Sequence, residues 1–202
     1  GEGVGLLEHH ADFAPQVHRI EAAASGVPLV GANDLEEGVL PDQGWGAAPP
    51  SPERVEPWTV SSDEEVLSLA WSPRGDMLAV ARGASVVIYD SAGEPLRRLE
   101  GYAGPVRSVS WSPSGDRLAS GGADGTVRVW SLASGEELLQ LRGHERGVWS
   151  VSWSPSGARL ASGGADGTVR VWLLASGEEL LQLRGHEGVV GSVSCSQSGD
   201  RL

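Results

Sequence analysis

The sequence predicts an all-β fold assembled from a repeated unit of four short strands. Residues 108–145 recur almost unchanged at 150–187, so the repeat is 42 residues long. That length and the glycine-rich turns between short apolar segments are typical of a four-stranded antiparallel unit. The two copies differ at Asp116, which corresponds to Ala158, and at Ser131, which corresponds to Leu173.

Each strand of the unit is predicted from its own residues. Residues 106–111 (VRSVSW) alternate apolar and polar side chains and predict the inner strand, and residues 112–115 (SPSG) form the turn after it. Strands are predicted next at 117–120 and 126–130, separated by GGADG, in which Asp-Gly favours a tight hairpin. Residues 136–141 predict the outer strand.

A short helix is predicted before the repeats, within residues 1–26. Phe13, Val17 and Ile20 lie at a spacing that places them on one face of a helix. A brief strand is expected after it. We interpret residues 1–31 as the remnant of an upstream domain, because such a helix has no other partner in its own segment.

A linker and the repeat array follow. Residues 32–54 are rich in proline, glycine and acidic side chains, which predicts a linker. The array is expected over 55–202, with a strand from Val55 to Val60 at its entrance. The last unit stops at Leu202, inside its second strand, so we expect three units and the start of a fourth, truncated at the C-terminus as an open arc.

The charge distribution excludes some classes of partner. The net charge is −12; residues 1–65 carry −11 of it and residues 66–202 carry −1. A nearly neutral array without a basic stripe argues against nucleic acid as a partner. No apolar run reaches membrane-spanning length, so no membrane association is expected. Cys195 is the one cysteine, which fits a cytoplasmic location.

The motifs of the third unit resemble the WD-repeat β-propeller family in their order and spacing over residues 55–202. The residues that carry the resemblance are Gly143, His144, Ser154, Pro155, Gly157, Leu160, Ala161, Ser162, Asp166, Gly167, Thr168 and Trp172. The near-identical tandem repeats are typical of bacterial members. The resemblance implies a partial β-propeller of about three blades plus the start of a fourth, preceded by a mostly irregular acidic segment. The aspartate that follows tryptophan in the family is Ser131 or Leu173 here.

The resemblance also implies a structural tetrad in the third unit, in which Trp donates to Ser, Ser to His and His to Asp. Its members are His144, Ser162, Asp166 and Trp172. The second unit keeps Ser120, Asp124 and Trp130 but has Tyr102 at the histidine position. A serine, a histidine and an aspartate also suggest a hydrolase, but their recurrence in tandem copies favours a scaffold. No catalytic residue, metal or cofactor is expected.

One position changes between units while its surroundings do not. In successive units it holds Leu67, Arg107, Trp149 and Gly191. In the family this position faces partners, and Trp and Arg are frequent binding anchors. The alternative is that Trp149 packs against the neighbouring blade. The candidates for partner binding are Arg107, Trp149, Tyr102, Glu145 and Arg146.

The predicted function is a non-catalytic scaffold that binds other proteins or peptides on the rim of the propeller. The alternative is the sensing or regulatory half of a larger signalling protein, with a nucleotide-hydrolysing, kinase or protease domain upstream. Self-association is also expected, because an open array leaves apolar faces in water.

Overall fold

All regular elements of the computed structural model are strands, over the residues that it describes: 18–22, 58–62, 64–198 and 201. Three four-stranded antiparallel sheets follow one another along the chain, and we call them the first, second and third blade. The first consists of β3 (Val66–Trp71), β4 (Met77–Arg82), β5 (Ser85–Asp90) and β6 (Pro95–Leu99). The second consists of β7 (Val106–Trp111), β8 (Arg117–Gly122), β9 (Thr126–Ser131) and β10 (Glu137–Arg142). The third consists of β11 (Val148–Trp153), β12 (Arg159–Gly164), β13 (Val169–Leu173) and β14 (Glu178–Leu183). The predicted all-β, four-stranded architecture is confirmed.

A separate two-stranded sheet corrects the prediction for the N-terminal segment. Its strands are β1 (His18–Ala22) and β2 (Trp58–Ser62), which pair antiparallel with Ile20 opposite Val60. The helix predicted within residues 1–26 is therefore wrong over the five residues of β1. The helical spacing was a local signal, whereas a distant strand supplies partners for the backbone groups of this segment. The remainder of that helix, the linker and residues 55–57 lie outside the described residues.

Within the blades the turns require glycine where two connections approach each other closely. Gly125, between β8 and β9, has a φ of +79°. A Cβ placed there would lie 3.0 Å from the carbonyl oxygen of His144 and 3.1 Å from that of Arg146. The hairpin turn of the second blade therefore packs directly against the connection that leads into the third blade.

The core of the molecule lies between adjacent blades. Val106, Val109 and Trp111 on β7 pack against the first blade, and Val148, Val151 and Trp153 on β11 pack against the second in the same way. Each tryptophan also donates its indole N–H to the neighbouring inner strand, Trp111 to the Ala70 carbonyl (2.8 Å) and Trp153 to the Ser110 carbonyl (2.9 Å). These repeated contacts align the inner strands, so corresponding residues of successive blades lie side by side.

Among the described residues there is no helix with the length and hydropathy needed to span a membrane. They also contain no cluster of three or more histidine, cysteine or acidic side chains suited to a metal ion. The side chain of Cys195 is a half-buried free thiol.

Candidate interaction surface

The third blade contains a continuous buried hydrogen-bond network. The Trp172 indole N–H donates to the Ser162 hydroxyl over 2.8 Å, and Ser162 lies 2.8 Å from Nε2 of His144. Nδ1 of His144 lies 3.0 Å from the Asp166 carboxylate. The four side chains therefore connect β13, β12, the blade connection and the β12–β13 turn.

The electrostatics of this network fix its proton positions. Burial alone would raise the pKa of Asp166, but hydrogen bonds from the Glu145 amide and from the amide and hydroxyl of Thr168 outweigh it and lower the pKa to about 2. Burial lowers the pKa of His144, although Asp166 opposes that shift. An ionised aspartate beside a neutral imidazole places the ring proton on Nδ1, so Nε2 accepts from Ser162.

The arrangement is poorly suited to nucleophilic catalysis. Ser162 is fully buried, and its hydroxyl oxygen already accepts from Trp172 while its proton is directed to His144. A nucleophile needs an open approach for its substrate and an oxyanion site beside it. The geometry instead satisfies buried polar groups and joins a turn to the sheet.

The second blade builds the same region with a phenol. Tyr102 contacts the hydroxyl of Ser120, and its own oxygen accepts from the Trp130 indole over 2.9 Å. Burial raises the pKa of Tyr102 to about 12, although the hydrogen bonds from Ser120 and Trp130 oppose that shift. Asp124 is not joined to the phenol and instead accepts from Thr126 and lies 3.6 Å from the Arg128 guanidinium.

The rim of the array is formed where the connections between blades meet the turns between second and third strands. We define it by those residues of 100–105, 143–147, 123–125 and 165–167 that are not buried, together with the first residues of the inner strands. Backbone hydrogen bonds join these segments, for example from Ala123 to the Pro105 carbonyl over 2.8 Å. The variable position identified in the sequence lies on this rim.

Arg107 and Trp149 meet on the rim although they belong to adjacent blades. The guanidinium carbon of Arg107 lies 4.3 Å from the centroid of the Trp149 ring, within the range of a cation–π contact. Trp149 remains 40% exposed, so it is not packed away between the blades. Trp149 is therefore a surface residue in contact with a cation and not a core residue.

The remaining candidates separate by burial. Glu145 and Arg146 are exposed in the connection that leads to β11. Tyr102 is only 8% exposed and takes part in the buried network. It therefore lies beneath the rim, because its ring fills the space that histidine occupies in the next blade. Leu67 is half-buried and Gly191 is exposed.

Two further features were missed in the sequence, one in a connection between blades and one at the turn between the third and fourth strands of the second blade. Val189 is an exposed apolar residue of the connection that follows the third blade, at the position where the preceding connection has Gly147. Arg97 donates from β6 to the carbonyls of Ala133 and Ser134 and so links the first and second blades. Comparison of the repeats could have identified Val189, because the preceding unit has Gly147 at the same position. The contacts of Arg97 could not be predicted in this way, because its partners are backbone carbonyls that every residue has.

Comparisons with known proteins agree with the architecture. The family model for the WD domain, G-beta repeat (WD40) matches residues 56–90, 93–131 and 135–172. The solved structure of U3-55K resembles the chain with a TM-score of 0.63 and 22% sequence identity, over 65% of this chain and 42% of that one. At that identity the likeness concerns the fold, and the chain spans less than half of that structure. No curated protein matches the chain.

Proposed function

The chain belongs to the WD40-repeat family, and from that premise we propose that it is a non-catalytic scaffold that binds other proteins or peptides through its rim. WD40 domains generally act by holding partner proteins, and a rigid array of sheets is suited to present loops for that purpose. Because fold alone does not assign function, the proposal depends on the chemistry of the rim.

The exposed Trp149 stacked with Arg107 is the observation that carries the proposal. Tryptophan and arginine are enriched among the residues that dominate binding energy at protein interfaces. Here they stand together on an exposed edge, and the framework on either side of them is the same in both blades. The variation thus lies on the exposed edge and not where the blades pack, which supports binding at this position.

We propose that the chain is not a catalyst because the Ser162 hydroxyl is buried and already forms two hydrogen bonds. It is buried beneath the rim and engaged by both Trp172 and His144, so the only serine, histidine and aspartate combination suggested by the sequence serves the fold. Hydrolysis of a generic ester by the full chain, abolished by Ser162→Ala, would contradict this part of the proposal.

We also propose a cytoplasmic location. The single cysteine of the sequence, Cys195, is a free thiol, which fits a reducing compartment. Fractionation of the source cells with an antibody against the chain tests it.

The test of rim binding compares two exposed apolar residues. The full chain, Trp149→Ala and Leu138→Ala serve as baits, and a partner recovered with the full chain is then titrated against each. Leu138 is 45% exposed on the outer strand of the second blade, so it is a matched control away from the rim. We expect Trp149→Ala to weaken binding by about 2 kcal/mol or more and Leu138→Ala to leave it unchanged.

Loss of binding in Leu138→Ala with full retention in Trp149→Ala would place the interaction on the outer strands and contradict the proposal. The melting temperatures of both variants serve as the folding control. Neither should change much, because both side chains are largely outside the core and Gly191 shows that the rim position tolerates a missing side chain.

A further inference from the structure

We infer that the Arg107–Trp149 pair is a receptor for a single carboxylate side chain in an acidic peptide segment of the partner. This inference rests on the proposed function and adds the chemistry of the bound group. It follows from three features: an arginine without an acceptor, an aromatic ring that holds it in place, and an array whose net charge over residues 66–202 is close to zero.

Arg107 is an arginine whose hydrogen-bonding capacity is unused. A guanidinium carries five N–H donors and no acceptor. Across the described part of the chain, Arg107 makes neither a hydrogen bond nor an ion pair, and its Nε is buried without a partner. Two buried arginines of the second and third blades are paired instead, Arg128 with Glu137 and Arg170 with Glu179, although Nε of Arg170 is also without a partner.

The indole of Trp149 fixes the position of that guanidinium. The guanidinium carbon lies 4.3 Å from the ring centroid, where the attraction between the cation and the indole face holds it. With Nε buried against the protein, the edge formed by the two Nη groups is left for an acceptor from outside. A carboxylate matches that edge with two parallel hydrogen bonds, and the stacking reduces the entropy lost on binding.

The charge around the pair favours a peptide over a polyanion. Residues 66–202 carry a net charge of −1, so the array as a whole does not attract nucleic acid. One guanidinium beside a large exposed indole instead fits one carboxylate next to an apolar side chain, which can rest on the uncovered part of Trp149. Phosphate groups are typically recognised by clusters of arginine residues, whereas a single arginine, Arg107, lies on the Trp149 ring.

Selection from a random peptide library displayed on phage tests the inference with the full chain as the target. Parallel selections use Arg107→Gln, Trp149→Ala and the control Leu138→Ala. We expect peptides enriched on the full chain and on Leu138→Ala to share an Asp or Glu at one position, beside an apolar residue. Neither Arg107→Gln nor Trp149→Ala should enrich this set.

The decisive measurement is a double-mutant cycle on one enriched peptide, synthesised with its shared Glu or Asp and with the matching Gln or Asn. On the full chain the amide peptide should bind about tenfold more weakly or worse, as loss of a charge-assisted bidentate pair implies. On Arg107→Gln the two peptides should bind equally, because the partner of the carboxylate is gone. Arg107→Lys should restore part of the preference for the carboxylate peptide over the amide peptide, since it keeps the positive charge but lacks the paired N–H donors of the guanidinium.

The outcomes separate the inference from the proposed function. Neutral or basic peptides that require Trp149 would overturn the carboxylate receptor and leave rim binding in place. An acidic preference that persists in Arg107→Gln would overturn the assignment to Arg107. If no enriched peptide depends on Trp149 or Arg107, both the receptor and rim binding at this pair are contradicted.

Discussion

Leu141 of the second blade and Leu183 of the third occupy the same position in two copies of one repeat, yet their environments differ. Leu141 is 3% exposed and packs against the third blade, whereas Leu183 is 43% exposed. The neighbouring valines follow the same pattern, since Val127 and Val129 are fully buried and their counterparts in the third blade are only half-buried. Identical sequences thus reach different burial, because burial depends on what packs against the sheet.

The same two blades also differ in chemistry at one buried site. His144 links Ser162 to Asp166, whereas the Tyr102 hydroxyl forms hydrogen bonds with Ser120 and Trp130 and not with the turn aspartate Asp124. A single exchange between phenol and imidazole therefore divides a four-membered network into two parts while the strands around it keep the same register.

The largest effect is expected from truncating the matched leucines. Leu141→Ala should destabilise the chain by about 2–5 kcal/mol, because it opens a cavity between the second and third blades. Leu183→Ala should cost less than about 1 kcal/mol, since its side chain already meets solvent. Urea unfolding of both variants measures the difference; equal losses would show that the two faces are covered alike.

A smaller effect is expected within the buried networks. His144→Ala should cost about 1–3 kcal/mol, because it leaves the Ser162 hydroxyl and the Asp166 carboxylate without their shared partner. Tyr102→Phe should cost about 1 kcal/mol or less, because the Trp130 indole keeps its second acceptor, the Ser120 hydroxyl, at 3.0 Å.

Glu145→Ala is the control for the network comparison, since it removes an exposed side chain and keeps the backbone N–H that donates to Asp166. Calorimetric melting of the three variants gives the ranking. A melting shift for His144→Ala no larger than that of Glu145→Ala would contradict the network.

The dependence of stability on pH should have opposite directions in the two blades. The pKa of His144 lies below its ordinary value of 6.5, so its stabilisation is present above that pH and is lost as the pH falls below it. The pKa of Tyr102 is raised from 10.0 to about 12, so its stabilisation is present below pH 10 and is lost as the pH rises through about 12.

Exchange of the two residues tests these directions. In His144→Tyr the loss of stability below pH 6.5 should diminish, and in Tyr102→His a second such loss should be added. The free energy of unfolding measured from pH 5 to pH 8 distinguishes the variants. If the loss of stability below pH 6.5 is unchanged in His144→Tyr, a group other than His144 titrates in that range.

The smallest effect is expected at the turn where the repeats differ. Asp116 accepts hydrogen bonds from Ser112 and Ser114 in the second blade, and hydrogen bonding to Ser114 contributes most to lowering its pKa. Ala158 offers no such acceptor, so Ala158→Asp should stabilise the third blade by about 0.5 kcal/mol and Asp116→Ala should cost the same amount. Unfolding of both variants in guanidinium chloride measures the change in free energy of unfolding. A destabilising Ala158→Asp would contradict the prediction.

The internal repeat accounts for how far the fold could be predicted. Strand β7 has the predicted bounds, and β8 to β10 differ from the predicted ones by at most two residues, because turns such as SPSG and GGADG carry their own conformational signals. The strand β1 was missed because its partner β2 lies far along the chain, and local spacing contains no information about a distant pairing.

Prediction of the rim was partial for the same reason. Comparison of the repeats showed that the position of Arg107 and Trp149 varies between units. Because the two residues occupy this position in consecutive units, they were predicted to lie on adjacent blades. The stacking between them and the missing acceptor of Arg107 became visible only when the blades were set side by side. Whether the pair binds a partner stays a prediction.

The sequence by itself determined the repeat, the strand order within each blade and the residue types of the buried networks, because these depend on contacts within about 40 residues and recur in tandem. The tertiary structure alone decided which copy of a leucine is buried, that Tyr102 lies beneath the rim and that Trp149 lies upon it. The physical reason is that burial and electrostatic pairing are properties of surfaces brought together by packing between blades, and two identical segments meet different surfaces.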